Sequence, residues 1–157
     1  MRFPERVYTA EEVKKALGLI GKGYKHNLEV NGSPDFRNKT EEALKLIKTA
    51  EYYDFLRTYI RQIREIDGLS QLREAEVAIW ANKYAIADPI EAAGFIIQKA
   101  QQMKDFIEGR LYYETAEVRA VKKRIEFLET LRARSKDQAV KKECEENLKR
   151  WTEPTFP

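Results

Sequence analysis

Val77-Ala78-Ile79-Trp80-Ala81-Asn82-Lys83-Tyr84 and, just after it, Asp88-Pro89-Ile90-Glu91 decide the fold class. The first run is short, β-branched and aromatic, and polar stretches flank it, which predicts a strand. The second is a helix start. Asp88 is suited to the N-cap, Pro89 to the first helical position and Glu91 to the third. This helix is predicted to run to about Glu108, ahead of Gly109. Within it, Ile96, Ala100, Met103 and Ile107 share one face, with Ala92 and Phe106 beside them.

Leu28-Glu29-Val30 alternates and stops at Asn31-Gly32, which predicts a short strand near 26–30 and a turn. Ser33-Pro34 opens a helix with Phe36, Ala43, Leu44 and Ile47 as its apolar stripe. A second stripe follows: Tyr52, Phe55, Leu56, Tyr59, Ile60 and Ile63. The two stripes form either one bent helix or a helical hairpin. Asp67-Gly68 is a turn. At the start of the chain Thr9 and Glu12 form a capping box for a helix carrying Val13, Ala16, Leu17 and Ile20. Toward the other end, a helix over 115–134 places Val118, Val121, Ile125, Leu128 and Leu131 in register. Ser135-Lys136-Asp137-Gln138 caps a last helix bearing Val140, Cys144, Leu148 and Trp151. The expected fold is α+β and mostly helical, with a small sheet; an all-α domain is the alternative. No repeat or linker interrupts the chain, and 157 residues fit one domain, 1–157.

Composition narrows the chemistry. Apolar residues make up 43% and charged residues 35%, and the net charge is +3. The largest basic excess, eleven Lys/Arg against six Asp/Glu over 118–150, is spread around helices as a solvated face. Nucleic acid is therefore not an expected partner. No apolar run approaches a membrane span, and the N-terminus carries no leader-like segment. With one cysteine, Cys144, the expected setting is a reducing cytoplasm. His26 is the single histidine. A nucleophile–histidine catalytic pair would have to use it, and no nucleophile motif lies nearby, so a surface or strand-edge role is expected. Cys144, on an apolar stripe, is expected to be a core residue. No phosphate-binding glycine loop is present. In the pairs Tyr52-Tyr53 and Tyr112-Tyr113, one ring is expected to face the core and one the solvent.

Several segments, in order, resemble zincin-type metallopeptidases. Leu28 to Phe36 followed by Glu42-Ala43-Leu44 resembles the strand–turn–helix that opens such domains. Val77 to Ala81 resembles the strand before their catalytic helix, and Asp88 to Ile97 the start of that helix. Phe106 to Tyr113, then Ala116-Glu117 and Phe127-Leu128, resemble the stretch that follows. The resemblance covers about residues 24–132. In that family a His-Glu-x-x-His helix binds zinc through its histidines and uses its glutamate as general base. The matching residues here are Gln98-Lys99-Ala100-Gln101-Gln102. Both histidines are glutamines, the base is a lysine, and Glu117 is what remains of the ligand set.

The resemblance thus implies a zincin-like fold without zinc or other cofactor and without catalytic residues. Gln98, Lys99, Gln102 and Glu117 are the degenerate metal-site positions. In a remodelled site Lys99 would replace the ion and meet Glu117. Alternatively, Lys99 is a snorkelling lysine at the rim of an amphipathic helix. The expected function is that of an inactive zincin-like binding or scaffolding domain. A peptide would pair with the strand through Val77, Ile79 and Trp80. The alternatives are a helical interaction domain without peptidase ancestry, and an enzyme using Lys99 as a perturbed amine. The partner expected is a protein or peptide, and self-association is compatible with the sequence.

Overall fold

The computed structural model describes residues 2–110 and 115–152; Tyr112 and Tyr113 lie outside them. The elements are α1 (Ala10–Gly21), β1 (Glu29–Asn31), α2 (Pro34–Thr49), α3 (Tyr53–Tyr59), β2 (Gln62–Glu65), β3 (Gln71–Arg73), a 3-10 turn (Glu74–Glu76), β4 (Ala78–Ala81), α4 (Pro89–Ile107), α5 (Ala116–Arg134) and α6 (Gln138–Thr152). The fold is α+β and mostly helical, with a four-stranded sheet in the order β1-β2-β4-β3. β1, β2 and β4 run parallel, and β3 is antiparallel to β4. The all-α alternative falls with the sheet. Among the described residues no helix is long and apolar enough to cross a membrane.

The helix starts form where local chemistry directs them. Thr9 and Glu12 complete the capping box. The side chains of Ser33 and Asp88 accept from the amides of Phe36 and Glu91, each with proline in the first turn. Asp137 accepts from the amides of Ala139 and Val140. Each satisfies amides that have no partner inside the helix.

The two stripes form neither one bent helix nor a hairpin of two helices that span them, because the second, from Tyr52 to Ile63, is divided. It is the short α3, a break at Ile60 and the strand β2. Ile60 has extended backbone, with φ −127° and ψ 128°. Ile60 and Ile63 are both fully buried. The spacing of three suits a helical face, but here the buried contacts come from the end of one element and the middle of the next. In α5 the buried stripe is Ala116, Ala120, Arg124, Phe127, Leu128 and Leu131, while Val118 is half exposed. The helix is rotated from the expected face because small alanines and one arginine meet the neighbouring helix.

α4 is the central element. It packs on α2, α3, α5 and the sheet region, and Ile96, Ile97, Ala100, Met103 and Ile107 lie in the core. The strand expected over Val77–Tyr84 is shorter. Val77 precedes it in left-handed conformation, φ 58°, a backbone that costs a β-branched residue on the order of 1–3 kcal/mol. Its side chain is fully buried and its carbonyl accepts from the Arg61 amide, and these contacts hold it there.

Candidate functional site

α4 presents three faces. At roughly 100° per residue, Ala92, Ile96, Ala100, Met103 and Ile107 form the core face. Glu91, Gly94, Gln98, Gln101 and Asp105 turn toward α5. Phe95, Lys99, Gln102 and Phe106 form a third stripe, and all four are partly exposed. The degenerate metal-site positions of α4, Gln98 on one side and Lys99 and Gln102 on the other, are therefore divided between two faces.

Gln98 faces α5, where its Oε1 accepts from Arg124 Nη1 at 3.1 Å. Arg124 is the residue that sequence reasoning missed. Its side chain is 7% exposed, and its Nη2 lies 3.1 Å from Glu91 Oε2. Nη2 also approaches the Glu91 carbonyl at 3.3 Å. The guanidinium carbon sits 4.3 Å from the Trp151 ring centroid. Arg150 forms an ion pair with the other Glu91 oxygen. Gly94 makes room, since a Cβ there would lie 2.7 Å from Arg124 Nε. Burial pushes the Arg124 guanidinium down to about 10, against the attraction of Glu91. The signal in the sequence was an arginine in register with Ala116, Ala120 and Phe127.

A second buried acid–base contact closes the other end of this interface. Asp105, 1% exposed, accepts from Gln101 Nε2 and from Arg119 Nε, each at 3.2 Å. These contacts fix the antiparallel register: Gln98 lies opposite Arg124, and Asp105 opposite Arg119. Glu117 therefore sits beyond the level of Asp105, roughly 10 Å along the axis from Lys99 at 1.5 Å rise per residue. Glu117 is also exposed. The expected pair of Lys99 and Glu117 is not formed. The acidic group close enough to raise the Lys99 pKa is Glu74; burial lowers it more, and Arg124 adds to that.

Val77, Ile79 and Trp80 do not provide an open strand edge. β4 is interior, paired with β2 on one side and β3 on the other. Val77 and Ile79 are fully buried. Trp80 is partly exposed on the other face, with the Arg73 guanidinium 4.2 Å from its ring centroid. The open edge beside α4 belongs to β3. There Tyr8, Gln71, Leu72, Arg73, Glu74 and Phe106 border a cleft of about 270 Å³. Among the described residues, the β3 backbone has no strand partner other than β4. Val7 donates to the Ala75 carbonyl just past β3, which sets Tyr8 as one wall of the cleft.

His26 is not at the surface: it is 1% exposed, edge-on to both Phe3 and Tyr24. Cys144 is buried, and burial pushes its thiol up to about 11.

Among the described residues no group of three or more His, Cys, Asp or Glu side chains is gathered to hold a metal ion. The matched positions do not fit zinc. Gln98 is bonded to a cation, Lys99 is itself a cation, and Glu117 points to solvent. Purified, untagged protein should therefore carry clearly substoichiometric zinc by metal analysis. The combined change Gln98→His, Lys99→Glu and Gln102→His should gain little affinity, because an imidazole at 98 would face the Arg124 guanidinium and the third ligand is distant. A full equivalent of zinc retained through dialysis against a chelator, in either protein, would overturn this.

No protein-family model matches the chain, and comparison with curated proteins and with solved structures returns no match.

Proposed function

We propose that this chain is a non-catalytic binding domain of zincin-like descent that holds an extended peptide along the outer edge of β3. The observation that carries the reading is the position of that edge. It is free among the described residues, and beside it lies a cleft lined by Phe106, one residue of the partly exposed α4 stripe that also carries Phe95, Lys99 and Gln102. An added strand gains main-chain hydrogen bonds from β3, and its alternate side chains reach the cleft. Leu72, Tyr8 and Phe106 offer apolar contact there. β1 is the other edge of the sheet, but the cleft that Phe106 of α4 lines lies beside β3.

Display of short random peptides against the purified protein tests this. Binders should shift backbone amide resonances of residues 71–75 and of the α4 stripe. N-methylation of a binder should weaken it about tenfold or more at alternate positions and have little effect between them, because every second amide of an added strand pairs with β3. Binders whose affinity is indifferent to the position of N-methylation, or whose shifts map elsewhere, would refute strand addition to β3.

A further inference from the structure

The cations near the β3 cleft and the α4–α5 interface are mostly committed. Arg73 pairs with Glu76, Lys104 with Glu108, Arg119 with Asp105 and Arg124 with Glu91. Lys99 differs. Among the described residues it is in no ion pair, although it is partly buried. Its ammonium lies 5.6 Å from the centroid of Phe95, one turn earlier on the same stripe. Glu74, which borders the cleft at the end of β3, is near enough to favour its charge without closing a salt bridge.

A lysine held in this way has lost part of its water without gaining a carboxylate partner among the described residues. Desolvation lowers its pKa, and the guanidinium of Arg124 acts in the same direction. An incoming carboxylate would restore the lost interaction in a partly dry site, where it is worth more than a surface pair. Neutral peptide would leave the ammonium as it is. Glu74 has the opposite effect on an acidic guest: it supports the charge on Lys99 but repels the guest.

Resting on the strand-addition reading, we infer that the β3 cleft selects extended peptides bearing an acidic side chain, and that Lys99 is the residue that selects them. The carboxylate of the peptide is placed over the α4 stripe, between the rings of Phe95 and Phe106. Apolar side chains flank it, and the backbone pairs with β3. Lys99 is a specificity-determining contact in a binding site, with no bond made or broken.

The test uses the full chain, a random peptide display selection, and synthetic versions of the enriched peptides that differ only as Glu and Gln at one position. Enriched peptides should share an Asp or Glu at a fixed position. The Glu version should bind about tenfold more tightly than the Gln version at low salt, and the advantage should shrink as salt rises. Lys99→Met should reduce the advantage to within about twofold and leave the Gln version nearly unchanged. Lys99→Gln provides a second variant with a polar end, so that packing and charge are separated. Glu74→Gln should move affinity for the Glu version in the opposite direction, upward. If enriched peptides lack a common acid, or if both Lys99 variants keep the full preference for Glu, the acidic selection is wrong even though β3 binds peptide. If neither version of any peptide engages β3, the strand-addition reading falls and the acidic selection falls with it.

Discussion

Glu91→Gln should lower the unfolding free energy by about 2–3 kcal/mol, read from urea melts, and Arg124→Met in the same chain should recover at least about 1 kcal/mol of that loss. Glutamine keeps the shape and one acceptor of Glu91, so the substitution removes mainly charge. The charge left behind is that of Arg124, which is 7% exposed on its side chain. Stranding one member of a buried pair costs about 3–5 kcal/mol. Glu91 is 37% exposed, so water reaches part of this pair and the loss falls at or just below the lower end of that range. Gln98 Oε1 and the Glu91 carbonyl still accept from the guanidinium, and the Trp151 ring still covers it. These neutral partners limit the loss without replacing the carboxylate. Methionine at 124 fills a similar space with no charge to strand, which is why the double change should be milder than the single one. A single Glu91→Gln loss below about 0.5 kcal/mol would show that this network is a surface arrangement with little energetic weight.

The parts of the fold legible in the sequence are those set by neighbours in sequence. Thr9 with Glu12, Ser33 with the Phe36 amide, and Asp88 with the Glu91 amide each bond within one helical turn, so each start was readable without the rest of the chain. β2 and β3 were not. Gln62-Ile63-Arg64-Glu65 and Gln71-Leu72-Arg73 each offer one aliphatic residue, too few to show alternation. They become strands because the well-marked β4 lies between them, a tertiary fact. The candidate site divides in the same way. That Lys99 lies at the rim of α4 followed from helical geometry. That Gln98 would meet Arg124, and that Glu117 would sit far along the axis from Lys99, depends on the α4–α5 register. That register is set by buried polar contacts, Gln98 to Arg124 and Asp105 to Arg119, which hydrophobic periodicity does not reveal.

His26 should give the protein an acid-sensitive stability. Its ring lies in a T-shaped arrangement with Phe3 at 4.5 Å and Tyr24 at 5.0 Å, and its buried Nε2 has no hydrogen-bond partner among the described residues. Burial, and then the nearby Arg61 and Arg57, push its pKa down from 6.5 to about 4. Those arginines are fixed in place. Arg57 Nε donates to the His26 carbonyl, and Arg61 donates to the carbonyls of Pro4, Glu5 and Glu76, which fastens the N-terminal segment over the ring. The sign follows from which state takes the proton first. In the unfolded chain His26 protonates as pH falls below about 6.5; in the folded chain it stays neutral until about 4. Between those values the unfolded state binds more protons, so stability falls with falling pH. The contribution of this group is complete above about 6.5 and is lost by about 4, a total of about 3 kcal/mol. His26→Phe keeps a ring between Phe3 and Tyr24 and removes the titration. Urea melts across this pH range should therefore show the wild-type midpoint dropping more steeply than that of His26→Phe, with the two curves nearly parallel above pH 7. Equal slopes between about pH 6.5 and 4 would mean that the folded protein accepts a proton on His26 as readily as the unfolded chain, contrary to a ring sealed among aromatics and arginines.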